Sequence, residues 1–137
     1  MKIKRIEHVA IVVDKMAPGM KMLEDVFGLK LDYVQETALS KLAMYPVGDS
    51  SLELIETKSA DSRSGQWLAR NGQSLYHLCF EVDDILAAIE ELKAKGIKLQ
   101  DEVPKPGHGG SQIVFLDQAS TGTLLIELVQ MPAQAAH

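Results

Sequence analysis

The chain has 137 residues, 46% of them apolar and 24% charged, and a formal net charge of −5. That apolar share excludes a disordered chain, and the length allows one domain or two small modules sharing a core. The acidic balance, the missing Lys/Arg cluster and an aromatic share of 5% exclude the basic face and the stacking platform of a nucleic-acid binder. No apolar run approaches the length of a membrane span. The opening MKIKRIEHVAIVV is basic then apolar, but its apolar stretch is short and it reads as a strand rather than a signal peptide. A single cysteine, Cys79, excludes an intrachain disulfide framework and suits a reducing, cytoplasmic setting.

In chain order, segment 3–13 is β-branched and apolar and predicts a strand. Segment 17–27 has helical spacing, with Pro18 and Gly19 suited to its first turn. Segments 30–36, 41–47 and 51–57 read as three strands, with turns at 38–40 and at Gly48-Asp49-Ser50. A polar stretch, SADSRSGQWLARNGQS, follows with one short helical candidate at 62–70. Segment 75–82 is a strand, and 84–95 is a helix with Ile85, Ile89 and Leu92 on one face. Asp83 is its expected N-cap and Gly96 its C′ glycine. Segments 97–101, 111–116 and 123–130 repeat the three-strand set, and PAQAAH reads as a frayed tail.

The order of elements is thus given twice. HVAIVVD at 8–14 matches HLCFEVD at 77–83. Each is followed by an amphipathic stretch closing at a glycine, Gly28 or Gly96, and then by Leu29-Lys30-Leu31 or Ile97-Lys98-Leu99. Each half ends in a strand carrying a glutamate, Leu52-Glu53-Leu54 or Ile126-Glu127-Leu128. Two copies are too few for a solenoid. The reading is α+β: two paired βαβββ modules, 1–60 and 74–132, joined by a polar linker 61–73 within a single domain 1–137.

Strand alternation sorts the polar residues. His8, Ala10 and Val12 share one face of the first strand; His77, Cys79 and Glu81 share one face of its counterpart. Glu53 opposes Leu52 and Leu54, and Glu127 opposes Ile126 and Leu128. A single His at a strand start is ordinarily a satisfied core or surface residue. A single Glu inside LLIELV is harder to set aside, because a buried unpaired carboxylate is costly. Four such residues at matching positions of a repeat favour metal ligation, and they converge if the halves pair about a pseudo-twofold axis. Two imidazoles and two carboxylates suit one divalent ion: cobalt, zinc, nickel, manganese or iron. Such an ion would act as a Lewis acid on a substrate with two neighbouring oxygens, and a nearby carboxylate would serve as base. Cys79, Tyr76 and Trp67 read as packing residues, and Glu90-Glu91 as a solvated helix face. PKPGHGGSQ, at 104–112, is either a flexible turn or a loop over a cavity mouth, with His108, Gly109 and Gly110 touching substrate. Small sheets with exposed edges also lead us to expect a homodimer.

The sequence resembles the vicinal oxygen chelate superfamily, in the branch of methylmalonyl-CoA epimerase and glyoxalase I. The motifs that carry the resemblance are HVAIVV at His8, PVGDSSLELIE around Glu53, YHLCFEVDDI at His77 and STGTLLIEL at Glu127, spanning about 6–130. The inserts QWLARNGQSLYH and KPGHGG favour the epimerase side. The resemblance implies a cupped, mostly antiparallel sheet with metal ligands at His8, Glu53, His77 and Glu127. It also implies proton removal from the carbon between a thioester and a carboxylate, then return to the opposite face. Glu127 would be ligand and base. The epimerases carry a second acid–base glutamate in the region that here reads Val34-Gln35-Glu36-Thr37, so Glu36 or Thr37 takes its place according to register. The expected protein is a metal-dependent epimerase acting on a small acyl thioester. The alternatives are a glyoxalase I-like lyase, for which Arg5, Arg63 and Arg70 would be the arginines available to hold glutathione, and a non-catalytic binding member.

Overall fold

A computed structural model describes residues 1–133; His137 and most of the expected frayed tail lie outside the described residues. The elements run β1 (Ile3–Val13), α1 (Met16–Lys21) continuing into a π-helical segment (Met22–Val26), β2 (Tyr33–Glu36), β3 (Ser40–Val47) and β4 (Ser50–Thr57). Then come α2 (Arg63–Asn71), β5 (Ser74–Val82), α3 (Ile85–Ala94), β6 (Lys105–Pro106), a 3₁₀ turn (His108–Gly110), β7 (Gln112–Phe115), a second 3₁₀ turn (Gln118–Ser120) and β8 (Ile126–Gln130). The chain divides into two compact units: His8–His77, and Met1–Glu7 together with the chain from Leu78 onward. Strands β1 and β5 each pass from one unit into the other.

In the unit His8–His77 the strand order is β2-β3-β4-β1. β2, β3 and β4 are antiparallel neighbours, while β1 runs parallel to β4 with Ala10 opposite Glu53. The apolar face of this sheet packs Val13, Ala43, Tyr45 and Leu54 against Met16, with Met20 and Leu23 laid over them. α2 begins at Ser62, whose hydroxyl accepts from Gly65 N at 3.0 Å, as an N-cap should. Trp67 donates to Ser74 Oγ at 2.9 Å, and its ring lies 5.3 Å from that of Tyr76. Both aromatic residues are the packing residues the sequence suggests.

Tyr45 is fully buried, and its hydroxyl donates to Glu24 Oε2 at 2.8 Å. Burial, then the hydrogen bond and charge of Glu24, hold the phenol above its ordinary range. The unfolded chain therefore loses this proton first as pH rises past about 10, and the stability that Tyr45 contributes drains away above that pH. Urea unfolding at a series of pH values should show a shallower alkaline decline in Tyr45→Phe than in the parent. An unchanged decline would mean that the phenol is not the group responsible.

In the other unit the order is β5-β8-β7-β6. β5 is parallel to β8, with Cys79 opposite Glu127, and the remaining pairs are antiparallel. The 3–4 spacing of α3 lays Ile85, Ala88, Ile89 and Leu92 against Val82, Val114, Leu116 and Leu128. The helix starts one residue later than expected. Asp84 rather than Asp83 is the cap, its carboxylate accepting from Ala87 N at 3.1 Å. Gly96, at φ 77°, ends the helix as foreseen. The strand expected at 97–101 does not form: Leu99 makes one bridge to Leu116, and the strand beside β7 is Lys105–Pro106. Pro104 and Pro106 lack the amide donors a longer ladder needs, so this edge is cut to two residues.

Candidate metal centre

The unit His8–His77 brings three of the predicted ligands together. Alternation along β1 turns His8 inward with Ala10; β4 places Glu53 opposite Ala10; β5 starts its buried run at Tyr76 and His77. His8 is 1% exposed, Glu53 4% and His77 7%. The two Nε2 atoms are 2.8 Å apart. Glu53 Oε1 lies 3.5 Å from His8 Nε2 and 3.8 Å from His77 Nε2. Two imidazole nitrogens aimed at one another can share one hydrogen bond only if their tautomers differ. They also suit a cation: two ligands at about 2.1 Å from a common ion and at right angles lie about 3.0 Å apart. The donor set of two imidazoles and a carboxylate, closed off from water, fits a divalent first-row ion. Tyr76 packs against His77 with ring centroids 4.9 Å apart, and Trp67 packs behind Tyr76. This stack sets the plane of the His77 ring.

Glu127 belongs to the other unit, where it is 4% exposed on β8. Its register repeats that of Glu53. Glu53 stands opposite Ala10, two residues after His8; Glu127 stands opposite Cys79, two residues after His77. At these positions the internal repeat seen in the sequence is kept in strand and in register.

Of the loop residues predicted to touch substrate, Gly109 and Gly110 are exposed, but His108 is turned inward and is 6% exposed. Its Nε2 lies 2.5 Å from Glu7 Oε1. Glu7 is a buried carboxylate that sequence reasoning passed over: with Lys4, Arg5 and His8 around it in the chain, it carries none of the apolar context that marks Glu127. Glu81 is another, held by Arg5 Nε at 2.7 Å and by Lys4 Nζ at 3.3 Å.

Glu36 is not brought into a buried group. It lies on β2 with a side chain 57% exposed, its Oε2 2.7 Å from Lys58 Nζ. The hydrogen bond and charge of Lys58 hold its carboxyl below the usual range. Thr37 serves the following turn, its Oγ1 accepting from Leu39 N at 3.2 Å and Ser40 N at 3.1 Å.

Known proteins resemble this chain over most of its length. The family model of the Glyoxalase/Bleomycin resistance protein/Dioxygenase superfamily matches residues 7–115. The chain is 31% identical to mouse mitochondrial methylmalonyl-CoA epimerase over 133 residues, covering 94% of this chain and 74% of that protein. It is 28% identical to the ethylmalonyl-CoA/methylmalonyl-CoA epimerase of Cereibacter sphaeroides, covering 94% and 99%. Among solved structures it is similar to a variant of Streptomyces coelicolor methylmalonyl-CoA epimerase in complex with 2-nitronate-propionyl-CoA. The TM-score is 0.91 at 26% identity, covering 99% of this chain and 100% of that one. The α+β, glyoxalase-like fold expected from the sequence is the fold found. Among the described residues, no helix is long and apolar enough to cross a membrane.

Proposed function

The chain belongs to the Glyoxalase/Bleomycin resistance protein/Dioxygenase superfamily, and from that premise we propose that it is a metal-dependent epimerase of a 2-carboxyacyl-CoA thioester of the methylmalonyl-CoA kind. The observation that carries the reading is the buried meeting of His8, Glu53 and His77, three donors within 3.8 Å, in a chain whose relatives are named as epimerases of such thioesters. We assign Glu127 as the fourth ligand because its register on β8 repeats that of Glu53 on β4.

A divalent ion held by these four side chains would supply Lewis-acid stabilisation to the thioester and carboxylate oxygens of the substrate. The residues do the rest. Burial of the set excludes water and strengthens each electrostatic contact made within it. Glu127, as a carboxylate, takes the proton from the carbon between the two carbonyl groups, where the negative charge that develops is shared with their oxygens. Epimerisation is complete when a proton returns to the opposite face.

Sequence matching offers Glu36 as the second acid–base group. Its surroundings argue for a different role, because a carboxylate already stabilised as an anion by Lys58 is a weak base and a poor proton store. Glu36→Gln should keep kcat/KM within about threefold, well inside the range of a lost general acid–base group, which is about 10²–10⁴-fold. A loss of that larger size would reinstate Glu36 as the second group.

The lyase alternative gains nothing from the structure, since Arg5 is engaged with Glu81 rather than standing free for a glutathione carboxylate. Incubation with (2R)- or (2S)-methylmalonyl-CoA in deuterated water, followed by NMR, tests the proposal directly. Loss of the α-proton signal with appearance of the other epimer is expected. An unchanged α-proton signal, with divalent metal added, would reject it.

A further inference from the structure

We infer that Glu7 is a positioning residue that latches the glycine loop 107–111 in a substrate-ready conformation, with His108 as the latch's moving half. This rests on the proposed thioester activity for its functional meaning and on geometry for its mechanical one.

The parts all lie in the unit formed by Met1–Glu7 and the chain from Leu78 onward. Glu7 is 4% exposed and His108 6%, and they meet at 2.5 Å. Arg5 NH2 lies 4.0 Å from the other oxygen of Glu7, while Arg5 Nε binds Glu81 at 2.7 Å. β5, β1 and the loop are thus joined by one run of polar contacts through Glu81, Arg5, Glu7 and His108. The loop has no long ladder to hold it. β6 is two residues long, and between it and β7 the chain turns through Gly109 at φ 61° and Gly110 at φ 78°. Glycines in that backbone region cost conformational entropy to fix, so something must hold them. The backbone bond from Gly107 N to Ser111 O, at 2.9 Å, closes the loop base. Gly107 itself leaves no room, since a Cβ there would come 2.5 Å from Ile113 Cγ2 and 2.6 Å from Ser111 Oγ.

The sequence suggested that His108 touches the substrate. Burial against Glu7 argues otherwise: the imidazole faces inward and serves as the anchor. What the loop presents outward is the exposed turn at Gly109 and Gly110, where no side chain obstructs a ligand approaching the Gly110 backbone. Backbone amides on a fixed turn make donors for an anionic or carbonyl-bearing part of an acyl-CoA. A latched loop pays its ordering cost before binding, so releasing the latch should weaken binding more than it slows chemistry.

The test compares Glu7→Ala, Glu7→Gln and Gly107→Ala with the parent by two readouts. The first is amide hydrogen exchange of residues 107–112, which needs no substrate. The second is the split between KM and kcat with methylmalonyl-CoA. The latch predicts that Glu7→Ala speeds exchange in the loop at least tenfold, with protection of β7 and β8 unchanged, and raises KM at least tenfold with kcat within threefold. Glu7→Gln, which keeps a hydrogen bond to His108, should restore most of both. Gly107→Ala, which strains the loop base against Ile113 and Ser111 and changes neither side chain of the latch, should reproduce the KM effect. Loop exchange unaltered in Glu7→Ala overturns the latch. A loosened loop with unchanged KM overturns its role in substrate binding, as does a kcat loss that Glu7→Gln does not rescue. If Glu7→Ala does not fold, His108→Ala decides in its place, since a latch requires the loss of either partner to speed loop exchange and raise KM alike. A parent enzyme inactive on acyl-CoA thioesters would reject the proposed activity, and with it the substrate half of this inference. The exchange readout would then still decide whether the latch exists.

Discussion

His77→Ala combined with Glu53→Gln should strip the protein of divalent metal, from about one ion per chain to under a tenth, as measured by plasma emission spectroscopy after dialysis. Of the four proposed ligands, this double variant leaves His8 and Glu127 intact, removes the second imidazole and exchanges the anionic oxygen at position 53 for a neutral, weaker donor. One imidazole and one carboxylate hold a first-row ion too weakly to survive dialysis, and the binding energy it gives the folded state is lost with it. In the parent, metal at a hundredfold excess over Kd adds about 2.7 kcal/mol of stability, which raises Tm by roughly 10 °C for a chain of this size. The double variant should show no such rise. Trp67 supplies an independent probe, because it is the chain's one tryptophan and reaches His77 through Tyr76. Cobalt(II) or copper(II) should quench its fluorescence in the parent and leave the variant unchanged. Metal retained at one equivalent by the double variant would place the ion elsewhere, and the assignment of these ligands would be withdrawn.

Glu127→Gln should separate holding the metal from moving the proton. A glutamine keeps an oxygen donor at the same place on β8 but cannot accept a proton. Metal affinity should fall by about 10–100-fold, a loss that added metal can make good. Solvent deuterium incorporation at the substrate α-carbon should fall by about 10²–10⁴-fold and stay low at saturating metal. The conservative change matters here, since Glu127 is 4% exposed and an alanine would leave a void on β8 as well as remove a carboxylate. Exchange that recovers fully when metal is added would make Glu127 a ligand only and assign the base to another residue.

Much of this was legible in the residues. The repeat of HVAIVVD and HLCFEVD predicted that His8 and His77 occupy equivalent strands, and the matching registers Ala10–Glu53 and Cys79–Glu127 are what that repeat requires. Period-2 alternation was enough to turn Leu52 and Leu54 toward one core and Phe80 and Val82 toward another, which leaves Glu53 and His77 on the opposite faces. Helix positions were legible from 3–4 spacing, and the end at Gly96 from its lack of a Cβ. What failed at the element level was local competition. Asp83 and Asp84 both cap well in sequence, and only the backbone angle at the strand end selects Asp84. Segment 97–101 has strand composition, but it pairs with the chain beyond β7 only through the Leu99–Leu116 bridge, and the prolines at 104 and 106 keep the strand that does pair with β7 short.

Other features were decided by tertiary structure alone. Nothing in PKPGHGGSQ says that His108 turns inward, because its partner Glu7 lies 101 residues away in sequence. Nor does Val34-Gln35-Glu36-Thr37 reveal that Lys58 will sit 2.7 Å from Glu36 and claim its carboxylate. Patterning and repetition are properties of neighbours along the chain, so they were enough for most of the strands, for the helix faces and for the equivalent placement of His8 with His77 and of Glu53 with Glu127. Which charges meet is set by strand order and loop path, and these depend on the packing of distant segments. Tertiary structure therefore decided that His8, Glu53 and His77 meet, that Arg5 is bound to Glu81, and that Glu36 lies outside the buried set.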